Sequence, residues 1–246
     1  VIFQNSQTNN SLFTISSAIS ASNMTGNFSL RGGNVGNDGV FTGYLNSPNG
    51  GLALNGVNTW TIYKNASNNF ARVQLQTANG GVMKLGEADA LPSQVVMTWS
   101  ASATTLFDLN GYDQTLAGLS GTTGNTMNAL GNTGSLCTLN LAGLTGTRTY
   151  PGGITGPINL TMSSSGQQQV LNGSNGHTGT TTVTAGTLVV GSAYLGSGSS
   201  QQTTTTSLTQ ASNQLNLAAI PSFFVVGAYL IGAGLPSSTR ITAVNG

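Results

Sequence analysis

Apolar and polar residues follow one another in short bursts along this chain. "VQLQ" (73–76), "TLFDL" (105–109), "SLCTLNL" (135–141), "INLTM" (158–162) and "TTTVTA" (180–185) tend to put an apolar residue at every second position, and Gly, Asn or Pro soon ends each run. A repeat of two is that of a strand with one buried face. "VVMTW" (95–99), "TLVVG" (187–191) and "RITAV" (240–244) are equally short and rich in β-branched residues. No long stretch places apolar residues at i, i+3, i+4 and i+7, so the pattern predicts an all-β chain of many short strands.

The interruptions recur as well. "LNG" stands at 54–56, 109–111 and 171–173, and "VNG" at 244–246. Asn and Gly tolerate the positive φ of a tight bend, which makes Asn55, Gly56, Asn110, Gly111, Asn172 and Gly173 predicted corners. A longer self-match pairs residues 41–86 with 150–191: an aromatic, a glycine turn, a strand, a polar turn, then strand–Gly–strand ending in Gly. Within its last unit, Thr181, Val183 and Ala185 share one face, and Leu188 and Val190 share another. Strict alternation would turn these two sets to opposite sides. A bend at Ala185–Gly186 brings both into one interior. Val73 and Leu75 followed by Met83 and Leu85 repeat the arrangement around Asn79–Gly80–Gly81. Strand, corner, strand about a shared interior is one rung of a parallel β-helix, or β-solenoid. At about 20–25 residues per rung and ~4.8 Å per step, the chain would form about ten rungs and a rod of ~50 Å.

Composition narrows the functional classes. Of 246 residues, 4% are charged and 38% are hydrophobic, with 35 glycines. An ordinary soluble domain carries about 25% charged residues. The apolar content argues for a core and against disorder. Net charge is +1, with Arg31, Lys64, Arg72, Lys84, Arg148 and Arg240 scattered, so no cationic cluster points to nucleic acid or an anionic membrane. Solubility resting on Thr, Ser, Asn and Gln suits a protein that faces the cell exterior. Cys137 is the only cysteine; it excludes an intrachain disulfide and reads as a small buried apolar residue. The chain does not begin with Met and displays no secretory leader, as expected of a mature or excised piece of a longer protein.

Three segments are expected: a solenoid over 1–195, a low-complexity linker over 196–212 ("GSGSSQQTTTTSLTQAS") and an apolar β segment over 213–246. Residues 217–235 carry no charge, but Pro221, the interspersed glycines and the β-branched content favour strands over a membrane-spanning helix. Within this segment Phe223, Phe224, Val225, Val226, Tyr229, Leu230 and Ile231 are the candidate assembly surface, either capping the coil or joining a neighbouring copy.

"TTVTAGTLVVG" (181–191), "NTWTI" (58–62) and "ALPSQVVMTWSASATTLFDLNGYDQTLAGLSG" (90–121) together resemble the autotransporter-associated β-strand repeat of bacterial surface proteins. The resemblance covers most of 30–195. It implies a parallel β-helical passenger, exported to the cell surface or beyond as an adhesin, coat or scaffold, and it brings no catalytic residues. "NFAR" (69–72) departs from the repeat's usual glycine-rich turn.

Candidate chemistry is sparse. Asp38, Glu87, Asp89, Asp108, Asp113 and His177 are the acidic residues and the one histidine. Some β-helical enzymes cleave polysaccharides with paired carboxylates, but Asp108 and Asp113 straddle one turn and read as turn formers. His177, in "NGHTG", reads as an exposed turn residue without zinc-ligand partners. "GNVGNDG" (33–39) opens no helix and holds no Lys, so it is no phosphate loop; Asp38 in it is at most a lone cation ligand. Trp60, Tyr63, Trp99 and Tyr112 are candidate sugar-stacking platforms, but interior packing or corner filling is the favoured role, since no two lie at an obvious spacing. Asn9, Asn23, Asn27, Asn65, Asn159 and Asn172 begin N-x-S/T sequons. The expectation is a structural, self-associating extracellular protein without cofactor, metal or catalytic activity, and with surface glycans as a possible second partner.

Overall fold

Alternation is what the strands are made of. In Thr59–Ile62, Val82–Leu85, Val96–Trp99 and Cys137–Leu141, every second side chain is buried. The computed structural model describes residues 1–190 apart from 6–11, 33–35, 37, 77–79, 101–103, 123–128 and 144. Among the described residues the regular elements are strands alone, and every pairing between them is parallel. Parallel neighbours 19 to 27 residues apart, from Leu171 opposite Val190 to Ile2 opposite Ser29, define a coil that returns to the same wall once per rung. The chain is a β-solenoid.

Three walls enclose the interior. The first holds Ile2–Asn5, Asn27–Gly32, the second half of Leu45–Leu54, Asn69–Leu75, Val96–Trp99 and Gly118–Gly121. The second is an eight-stranded ladder from Phe13–Ile15 through Gly39–Phe41, Thr59–Ile62, Val82–Leu85, Leu106–Asp108, Ala129–Gly131 and Gly153–Gly156 to Asn175–His177. The third includes Gln114–Leu116, Cys137–Leu141 and the first half of Ile158–Leu171. Eight strands in one wall are seven steps, about 34 Å of rise. The described residues thus make fewer rungs than the ten expected of the whole chain. Residues 196–212 and 213–246, with the candidate assembly residues Phe223 to Ile231, lie outside the described residues.

Inward side chains stack in files along the axis. Phe28, Leu52, Val73, Met97 and Leu119 form one file, each opposite the next. Trp60, Met83, Phe107, Leu130 and Ile154 form another. Both files are fully buried. The second file ends on Asn175, so its apolar character stops at the last described rung.

The predicted corners sit at bends, but not all on one edge of the coil. Asn55–Gly56 and Asn172–Gly173 follow the first wall, whereas Asn110–Gly111 follows the second. The strand–corner–strand units are likewise out of phase: 72–86 runs from the first wall to the second, and 180–190 from the third to the first. Local resemblance does not carry phase, because a bend between any two walls makes the same demand on the backbone. Gly186 has φ +82° and Asn110 φ +52°, the left-handed region that Gly and Asn enter most readily.

Candidate functional site

The carboxylates show what the corners do. Thr59 N–H donates to Asp38 (2.9 Å), Thr115 N–H to Asp89 (3.0 Å) and Thr138 N–H to Asp113 (2.6 Å), while Lys64 N–H donates to Glu87. Asp108, 2% exposed, accepts Asn110 N–H in its own turn and both Thr133 N–H (3.0 Å) and Thr133 Oγ1–H (2.7 Å) one rung on. Lys84 Nζ lies 3.9 Å from Oδ2, the oxygen that accepts the Thr133 hydroxyl. All five acids of the chain therefore hold a backbone amide 21 to 26 residues away. Corner amides, left without ladder partners where the chain bends, must find acceptors, and a carboxylate makes a strong one. Asparagines do the same. Asn132 accepts Gly111 N–H (2.7 Å) and donates to Pro157 C=O (2.7 Å), and Asn159 accepts Thr180 N–H (2.9 Å).

Interior glutamines, which the sequence analysis did not single out, form a second set. Gln114 accepts Leu91 N–H and donates to Leu91 C=O, both at 3.0 Å. Its carboxamide replaces a strand where Pro92, which has no N–H, interrupts the third wall. Gln167 accepts Gly143 N–H (3.0 Å) and donates to Ala117 C=O (2.8 Å). The available signal was alternation itself: Gln167 and Gln169 share a face with Leu171.

Trp60, Trp99, His177 and Cys137 take interior places. Trp60 and Trp99 are fully buried, so neither serves as a stacking platform. Trp99 donates to Thr105 C=O (3.1 Å) and packs at 4.8 Å against Tyr150. Tyr112 is partly buried against the core, and Tyr63 is 37% exposed. His177 is not an exposed turn residue: it ends the strand Asn175–His177, is 2% exposed and places Nε2 2.9 Å from Thr181 Oγ1. Burial lowers its pKa. Cys137 is buried and its thiol is pushed up to about 11, first by burial and then by Asp113 and Asp108. Of the sequons, Asn27 is committed to Gln74 and Arg72 (3.1 Å), Asn65 accepts Ser67 N–H in its own turn, and Asn9 lies outside the described residues.

One groove opens on the coil's side where the corner loop lengthens to 63–68, between Thr59–Ile62 and Asn69–Leu75. It has a volume of about 340 Å³ and lies between that loop and residues 89–94 of the next rung, with Thr115 beyond. Its walls present Lys64, Asn65, Asn68, Asp89, Ser93 and Gln94. Among the described residues no three His, Cys, Asp or Glu side chains gather as metal ligands, and no helix is long and apolar enough to cross a membrane. The chain matches no family model, no curated protein and no solved structure.

Proposed function

We propose that this protein is a mechanical element: a β-solenoid subunit of an extracellular filament, sheath or coat, or the stalk of an adhesin, with a second copy of itself as its principal partner. The observation that carries this reading is the use of the acids. Each one is bonded to the backbone of another rung, where it locks the stack. Walls with few charges leave association little affected by salt. The resemblance to surface-protein repeats points the same way.

Parallel pairing along the axis offers a route to assembly. Among the described residues Ile2–Asn5 pairs only with Asn27–Gly32, and Phe13–Ile15 only with Gly39–Phe41. Val1, Ile2 and Leu12 are exposed there. Stacked parallel rungs over an apolar cross-section favour addition of further rungs wherever a coil ends, and a head-to-tail contact of this kind propagates into a fibre.

Electron microscopy of the purified chain tests the reading. Unbranched fibres that lengthen with protein concentration are expected. Single particles at every concentration would overturn it. Labelling of intact producing cells with an impermeant reagent tests the extracellular location.

A further inference from the structure

We infer that the groove between the 63–68 loop and residues 89–94 is a binding site for an uncharged oligosaccharide, independent of the filament reading. Its volume, about 340 Å³, falls within the range of about 300–1,000 Å³ found for small-molecule sites. The polar residues Asn65, Asn68, Ser93, Gln94 and Thr115 line it, with one basic residue (Lys64) and one acidic residue (Asp89). Formal charge across the groove sums to zero, which suits neither phosphate nor polycation, whereas mixed donors and acceptors suit sugar hydroxyls. Ala90, Leu91 and Pro92 supply an apolar side. Tyr63, immediately before Lys64, is the exposed aromatic of this corner, its ring seated on Gly86.

The groove is also held rigid. Asp89 is a non-glycine residue at φ +49°, a conformation that persists only when its surroundings enforce it. Its N–H donates to Asp113 C=O (2.9 Å) and its Oδ1 accepts Thr115 N–H. Leu91 is clamped on both backbone groups by Gln114, and Lys64 N–H is fixed by Glu87. Asn68 is oriented by Leu45 N–H donating to its Oδ1 (2.9 Å), while its buried Nδ2 has no partner. Preorganised polar groups lower the cost of capturing a flexible polyol.

The test is nuclear magnetic resonance titration of the full chain with cellobiose, maltose, lactose and N,N′-diacetylchitobiose, each to about 50 mM, a concentration that saturates millimolar sites. At least one sugar should give saturable shifts confined to residues 63–68, 86–94 and 115. Asp89→Asn keeps a carbonyl acceptor for Thr115 N–H yet removes the charged acceptor, and Gln94→Ala removes an amide; each should weaken binding about tenfold, as loss of one hydrogen-bonding partner does. Unchanged backbone spectra elsewhere would establish that both variants fold. Shifts with none of the sugars, shifts outside the groove, or affinities unaltered in both folded variants would overturn the proposal. Fibre formation is scored separately by microscopy, so failure of one reading leaves the other standing.

Discussion

Gln169 makes a reciprocal pair of hydrogen bonds with Leu119, fifty residues away: Leu119 N–H donates to Oε1 (3.0 Å) and Nε2 donates to Leu119 C=O (2.9 Å). The first-wall ladder through Gly118–Gly121 ends there, and the next strand on this wall, Gly146–Tyr150, pairs onward to Gln167–Leu171 instead. A side-chain amide stands in for the missing backbone partner. Gln169→Met keeps the bulk but leaves two buried backbone groups unanswered, at about 1–3 kcal/mol each. The expected loss is about 2–5 kcal/mol by urea denaturation, with faster hydrogen exchange at Leu119. A loss below about 0.5 kcal/mol would place water, not Gln169, on those groups.

Gly39 lies between Phe13 and Trp60 in the second-wall ladder. A Cβ at Gly39 would sit 2.5 Å from the Trp60 indole, so the absent side chain is what lets Trp60 reach Phe13, edge to face at 6.1 Å. Gly39→Ala should destabilise by about 1–3 kcal/mol through overpacking. Combining it with Trp60→Leu should recover part of that loss, and a double-mutant cycle measures the coupling. Simple additivity would refute the contact's role.

Asp108 holds Thr133 through both N–H and hydroxyl. Asp108→Ala should lower stability by about 2–4 kcal/mol, because three hydrogen bonds to a buried carboxylate, from donors on two rungs, are lost. Asp108→Asn, which keeps one carbonyl acceptor, should cost about half as much. Equal costs for the two would assign the effect to charge instead of hydrogen bonding.

His177 is the single histidine, so its titration is readable in the whole protein. Burial lowers its pKa from 6.5; its Nδ1 and the Oδ1 of Asn175 are buried without partners. Below pH 6.5 the unfolded chain takes up a proton that the folded chain resists. Stability is therefore full above that value and falls as the pH drops, by at most about 1.4 kcal/mol per unit. Chemical denaturation at pH 5 and 7.5 should reveal the slope, and His177→Gln should flatten it. An unchanged slope in the variant would move the effect to the carboxylates.

Cys137 should be inert in the folded protein. With its pKa raised to about 11, about one thiol in a thousand is ionised at pH 8, and the thiolate is the reactive form. Reaction with a disulfide reagent should wait for denaturant. A stoichiometric burst under native conditions would show the site to be open.

Alternation in the sequence determined a great deal by itself: that the chain is all β, which face of each strand turns inward, and that Asn–Gly and Ala–Gly pairs mark bends. Those are local consequences, set by backbone sterics and by the preference of apolar side chains for a dry interior. The tertiary structure decided phase. Rungs vary from 21 to 26 residues along the second wall, so look-alike corners fall on different edges, and no local pattern tells which residues face each other across a step. Hence the sequence showed Asp108 and Asp113 as turn residues but not as bonds between rungs, and it favoured for Trp60 and Trp99 the interior places that both occupy, without saying which residues they meet there. The groove was hidden for the same reason: Lys64, Asp89 and Thr115 come from three successive rungs, and only the coil's accumulated rise sets them side by side.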